Sequence, residues 1–202
     1  MGGRGRTRQG RGFPARGQDF EVAVELGLEE AFTGGERTLS LKDPATGTSR
    51  EIRVRIPRGA VDGSRIRLAG KGGPGSFGGP NGDLFLVTRL LPDERFRLEG
   101  RDLYAPLKIS PWDAMLGAKV PLETLDGSVT LRVPEGSSSG RKIRLKGRGY
   151  VSAKGERGDL YAEVLIVVPK DLTDEERNLV ERLRDLRGGG ARSSDETDRG
   201  AS

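Results

Sequence analysis

Apolar and polar residues alternate with a period of two along most of this 202-residue chain, the pattern of strands with one buried face. Phe20, Val22, Val24 and Leu26 alternate with Glu21, Ala23 and Glu25. Leu39 and Leu41 alternate with Thr38, Ser40 and Lys42, and after the turn residues 43–47 the alternation returns at Ile52, Val54 and Ile56, which predicts a hairpin. Ile66 and Leu68 mark a shorter strand, and residues 83–91 a longer one with Leu84, Leu86 and Leu90 on one face. Between the first two strands, residues 28–32 leave room for one helical turn before Gly34-Gly35. A second series follows. Leu103, Ala105, Leu107 and Ile109 alternate, residues 111–116 form a helical turn, residues 120–125 a strand, and Asp126-Gly127 a two-residue hairpin signal before Val129, Leu131 and Val133. A last strand runs from Leu160 to Val168 and stops at Pro169.

The two series are copies. Residues 54–72 read VRIPRGAVDGSRIRLAGKG and residues 131–149 read LRVPEGSSSGRKIRLKGRG. Ile56, Pro57, Gly59, Gly63, Ile66, Arg67, Leu68, Gly70 and Gly72 fall on Val133, Pro134, Gly136, Gly140, Ile143, Arg144, Leu145, Gly147 and Gly149. A proline has no N–H for a central ladder and belongs at a strand end, while the glycines supply positive φ for turns. Self-similarity on this scale predicts two copies of one β unit. One true helix remains. Thr173 caps it with Glu176 at the capping-box position, and Leu172, Leu179, Val180, Leu183 and Leu186 form its apolar stripe. The predicted fold is therefore mainly all-β, two small sandwich-like domains in tandem with short helical turns. Residues 1–18 read as a disordered linker, 19–96 and 97–169 as the domains, 170–187 as the C-terminal helix and 188–202 as a disordered tail.

Composition narrows the chemistry. Without cysteine or histidine there is no disulfide, thiol nucleophile, Cys/His zinc site or histidine acid–base pair. No apolar run approaches the ~20 residues of a membrane span, and the cysteine-free chain fits a cytoplasmic location. The formal charge of +5 resides in Arg4, Arg6, Arg8, Arg11 and Arg16; the remaining bases and acids balance. That tail reads either as a solvated linker or as an RNA- or DNA-binding arm. Residues 70–82, with Pro74 and Pro80, read as a flexible glycine-rich loop, and they lack the Gly-Lys-Ser/Thr ending of a phosphate loop. Asp83 and Asp159 recur at loop-to-strand junctions, where a carboxylate caps backbone N–H groups. No catalytic constellation emerges, and the expectation is a non-enzyme with no cofactor or metal. The apolar strand face of the first copy either binds something or packs within its own sandwich.

The doubled Pro-x-Gly…Gly…Ile-Arg-Leu…Gly-x-Gly pattern resembles the C-terminal peptide-binding region of DnaJ-type co-chaperones of the zinc-free subclass, over about residues 19–187. Leu28-Glu29-Glu30-Ala31, Gly82-Asp83-Leu84, Phe96 before Gly100-Arg101-Asp102-Leu103, and Ala114-Met115-Leu116-Gly117 before Thr124-Leu125-Asp126-Gly127 support the likeness. The resemblance implies a first domain whose groove holds extended apolar segments of unfolded client polypeptides without ATP. Its lining would be Val22, Val24, Leu39, Leu41 and Leu86, with Arg37 at the rim. It further implies a homodimer paired through the C-terminal helix (Leu172, Leu179, Val180, Leu183 and Leu186) and a DnaK-type chaperone as functional partner. A chain without histidine holds no His-Pro-Asp motif of a J domain, so stimulation of that partner's ATPase is not expected of it. The competing expectation is nucleic-acid binding through residues 1–18.

Overall fold

The computed structural model describes residues 13–42, 47, 49–153 and 155–188. The first unit comprises β1 (Phe20–Leu26), α1 (Leu28–Thr33), β2 (Gly35–Lys42), β3 (Ser49–Ile56), β4 (Arg65–Leu68) and β5 (Leu84–Leu90). The second repeats it as β7 (Asp102–Ile109), α2 (Pro111–Leu116), β8 (Ala118–Thr124), β9 (Gly127–Val133), β10 (Lys142–Leu145) and β11 (Leu160–Ile166). It adds a short strand, β6 (Arg97–Glu99), in front, and α3 (Asp174–Leu186) follows. β5 lies between a parallel β1 and an antiparallel β4, and β2 pairs with β3 in a separate hairpin. β11 likewise lies between a parallel β7 and an antiparallel β10, beside the β8–β9 hairpin. The chain is mostly β, as its alternation predicts.

Alternation becomes burial. β1 turns Val24 and Leu26 inward, β5 turns Leu84, Leu86 and Thr88, and β3 turns Ile52, Val54 and Ile56. At roughly 1.5–3 kcal/mol for each large aliphatic side chain removed from water, such rows drive each sheet and its hairpin together. A one-residue slip would turn every one of them to solvent.

The register is held at the strand starts by a carboxylate socket present in both units. Asp83 accepts hydrogen bonds from Gly70 N (2.8 Å), Arg67 Nε (2.9 Å) and Arg16 Nη2 (2.8 Å). Its own N–H donates to Asp19 Oδ1 at 2.6 Å. Asp159 repeats this with Gly147 N (2.7 Å), Arg144 Nε (2.7 Å) and Asp102 Oδ1 (2.8 Å). The Gly70 N–H, outweighing the opposing effect of burial, and then the Arg67 and Arg16 guanidinium groups hold the Asp83 carboxyl below its ordinary 3.8. Gly147 and Arg144 do the same for Asp159. The repeated Ile-Arg-Leu-x-Gly thus supplies the arginine and the N–H of a carboxylate site.

Two expectations change. Residues 13–18, expected in a disordered linker, are bonded into the first unit. Ala15 and Ser76 exchange backbone bonds, Gly17 N donates to Pro80 O, and Gly73 N donates to Gln18 O. The loop 70–82, expected to be flexible, is the partner in that pairing. Its glycines allow the approach: a Cβ at Gly79 would collide with the Ala15 backbone and one at Gly82 with Gln18. Residues 1–12 and 189–202, the rest of the expected disordered segments, lie outside the described residues.

The two units share a core. Tyr150, fully buried, leaves the second unit and enters the first, where its hydroxyl donates to Ala60 O at 2.6 Å. Its ring meets Phe32 at 5.8 Å between centroids, and the Arg58 and Arg157 guanidinium carbons each lie 5.5 Å from the Phe32 ring centre. Gly59, at φ +74°, has no Cβ to strike the Val151–Ser152 backbone, so the loop lies flat against it. Gly136, its counterpart, faces open space.

Burial pushes the Tyr150 phenol from its ordinary 10.0 up to about 12. The folded state therefore holds that proton more tightly than the unfolded chain. The stabilisation is fully present below pH 10 and is lost as pH rises through about 12. Tyr150→Phe leaves the Ala60 carbonyl without its donor and costs about 1–3 kcal/mol, while Tyr150→Ala costs about 3–5 kcal/mol, read from urea midpoints. The deficit of Tyr150→Phe shrinks between pH 10 and 12, because only the wild type has this phenol to ionise.

Candidate peptide-binding edge

The six residues expected to line a groove lie around the junction of β1, β2 and β5, in three different environments. Val24, Leu39 and Leu86 are core residues, 7, 9 and 1% exposed. Val22 is half-buried against that core. Arg37 lies on the inner row of β2 with Leu39, opposite Val54. Leu41 pairs opposite Arg50 in the register of β2 and β3, and its side chain lies outside the described residues. What the first unit leaves open is backbone.

Hydrogen bonding shows which backbone. Phe20 N donates to Asp83 O and Leu91 N to Leu26 O. Residues 20, 22, 24 and 26 therefore direct their N–H and C=O groups at β5, and by alternation Glu21, Ala23 and Glu25 direct theirs away from it. Among the described residues no strand pairs with that outer edge. β2 has an open edge too. In the second unit the two-residue turn closes on the Thr124–Gly127 pair, so ladder bonds recur at 122, 120 and 118, and residues 119, 121 and 123 face outward. The equivalent register, Gly35↔Ile56 matching Ala118↔Val133, makes Glu36, Thr38 and Ser40 the outward residues of β2.

One side chain closes the α1 end between these edges. Arg37 Nη1 donates to Glu25 O at 2.8 Å and forms an ion pair with Glu30 Oε2 at 3.2 Å. Its hydrogen bond falls on an outward carbonyl of β1, which places a donor where an added strand would supply one. Half-buried Val22 packs on the core that includes Val24 and Leu39. The opposite edge of the sheet, β4, carries Arg65 and Arg67, paired with Glu21 and Asp83; cations of this kind blunt an edge against further pairing.

The helix stripe is bare. α3 has no buried residue, and Leu179, Val180, Leu183 and Leu186 are exposed, with Leu172 half-buried before the cap. Thr173 and Glu176 make the expected capping box, whose bonds hold the Glu176 carboxyl below its ordinary value. Among the described residues no acidic cluster is arranged to hold a metal ion, and no helix is long and apolar enough to cross a membrane.

Pattern reading missed β6 and the outward position of particular strand residues. The signal for β6 was present: Arg97-Leu98-Glu99 and Asp102-Leu103-Tyr104 flank Gly100-Arg101, a hairpin turn between two alternating segments.

Comparison with known proteins places these features. The family model for the DnaJ C terminal domain matches residues 20–169. The chain is 44% identical over 179 residues to a "Curved DNA-binding protein" of Coxiella burnetii (strain Dugway 5J108-111), covering 85% of this chain and 56% of that protein. It is 41% identical over 187 residues to one of Pseudomonas putida (strain KT2440), covering 89% and 59%. One of Pseudomonas syringae pv. tomato is 42% identical over 190 residues, covering 90% and 59%. The chain belongs to the DnaJ C-terminal domain family. It spans a little over half the length of these relatives.

Proposed function

We propose that this chain is the client-binding part of a co-chaperone and captures extended apolar polypeptide segments without ATP, for delivery to a DnaK-type chaperone. The observation that carries the reading is the pair of open edges on β1 and β2; half-buried Val22, with Val24 and Leu39 beneath it, serves as their apolar floor in this reading. An added strand gains main-chain bonds from Glu21, Ala23 and Glu25 or from Glu36, Thr38 and Ser40, and its alternate side chains reach the floor. Leu86 acts from beneath, by packing that floor. Ala23→Pro with Thr38→Pro removes one outward N–H from each edge and leaves the buried rows intact. Binding of a fluorescein-labelled, proline-free peptide alternating leucine with threonine should weaken about tenfold or more, the equivalent of one lost backbone bond. Unchanged anisotropy titrations with a native circular dichroism spectrum would refute strand addition.

The bare stripe of α3 pairs two chains in this reading. Two edges joined in one dimer raise avidity for a client with two apolar segments. Leu183→Asp places a charge in the middle of the stripe and should yield monomers in sedimentation velocity; a persisting dimer would move the interface elsewhere.

The relatives' name supports a second reading, DNA binding through the arginine tail. Arg16 is engaged with Asp19 and Asp83, which leaves Arg4, Arg6, Arg8 and Arg11. Four phosphate contacts give a log–log salt slope of about −3 to −4. Deleting residues 1–12 should abolish that slope in gel-shift titrations while leaving peptide capture unchanged; retained DNA affinity would place the contact on the folded part.

A further inference from the structure

The residues that an edge-blocking experiment would introduce into the first unit already stand in the second. Strand pairing aligns the units residue by residue. Phe20↔Leu84 corresponds to Leu103↔Leu160, which sets Ala23 against Pro106. Gly35↔Ile56 corresponds to Ala118↔Val133, which sets Thr38 against Pro121. Leu103 N donates to Asp159 O and Val167 N to Ile109 O, so Pro106 occupies an outward position of β7, as Ala23 does on β1. Pro121 occupies an outward position of β8, as Thr38 does on β2. Both prolines are exposed and sit inside strands, where a proline is tolerated only if its nitrogen faces away from the ladder.

The rest of the β7 edge is also taken. β6 pairs with it from Arg97↔Tyr104 to Glu99↔Asp102, and Pro106 begins where β6 ends. The remaining outward residues, Lys108 on β7 and Lys119 and Glu123 on β8, are charged and exposed. Val120 stands where the first unit has Arg37, so the second unit lacks the side chain that marks the α1 end of the first unit's edges.

We infer that Pro106 and Pro121 are specificity-determining residues that deny the second unit a client strand and confine capture to one strand per chain. This rests on strand addition as the mode of capture in the first unit. A second unit with open edges would compete for the same extended segments. With its β7 and β8 edges closed it acts as the arm between the first unit and α3.

The test exchanges the two residue pairs, read with the labelled leucine–threonine peptide. Pro106→Ala with Pro121→Thr in the otherwise native chain should raise the stoichiometry from one to two peptides per chain in calorimetry. In the Ala23→Pro/Thr38→Pro background, the same two changes should recover about tenfold in affinity. A stoichiometry unchanged from the native chain, with no recovery in the blocked background, overturns the inference. The control is independent of it: a native chain that binds no peptide refutes capture by the first unit, whereas a Pro106→Ala/Pro121→Thr chain that then gains binding still supports the role of the prolines. Circular dichroism shows that each variant is folded, and the gain-of-binding arm does not depend on the proline-bearing first unit surviving.

Discussion

The arrangement depends on a carboxylate placed where three segments meet. β1 and β5 are parallel neighbours, as are β7 and β11, and no tight turn can bring such strands together or set their register. Asp83 and Asp159 do so from the start of the last strand in each unit. Each takes a guanidinium from β4 or β10 and an N–H from the loop beyond it, and passes its own N–H to Asp19 or Asp102 at the entry to the first strand. Once Asp83 N is tied to Asp19, Phe20 must face Leu84. From that single pairing follow the buried row Val24–Leu26 and the outward groups of Ala23. The open edge is a consequence of where one carboxylate sits.

Given equal scaffolds, the two units diverge at matched positions. Phe32 is capped by Tyr150, whereas Met115 at the same helical position is exposed. Gly59 admits a neighbouring backbone that Gly136 does not meet. Ala23 and Thr38 face Pro106 and Pro121 across the alignment. Each difference concerns what may approach a unit from outside, and none alters the strand ladders. Duplication kept the strand ladders and changed the boundary.

The strands, the helical turns, the duplication and the α3 capping box were legible because each has a local cause: alternation, glycine stops and a Thr-x-x-Glu spacing. The role of Asp83 and Asp159 as caps was legible from their position between loop and strand. Edge character was not, because Pro106 and Val22 both fit an alternating strand and only the pairing shows which way a backbone nitrogen points. The burial of Leu86 was equally hidden, since a period of two separates the faces of a strand without saying whether the inner face meets a ligand or another sheet. The ordering of residues 13–18 escaped because it arises from backbone bonds to a distant glycine loop, which no composition rule reports.

The Tyr150 contact also has a consequence for synthesis. Tyr150 is synthesised about 60 residues after the end of β5, an interval of about 3–12 seconds at roughly 5–20 residues per second. Until then the first unit presents the Phe32 ring and the Ala60 carbonyl uncovered. Completion of the second unit covers both, so the order of the two copies along the gene sets how long that surface stays open.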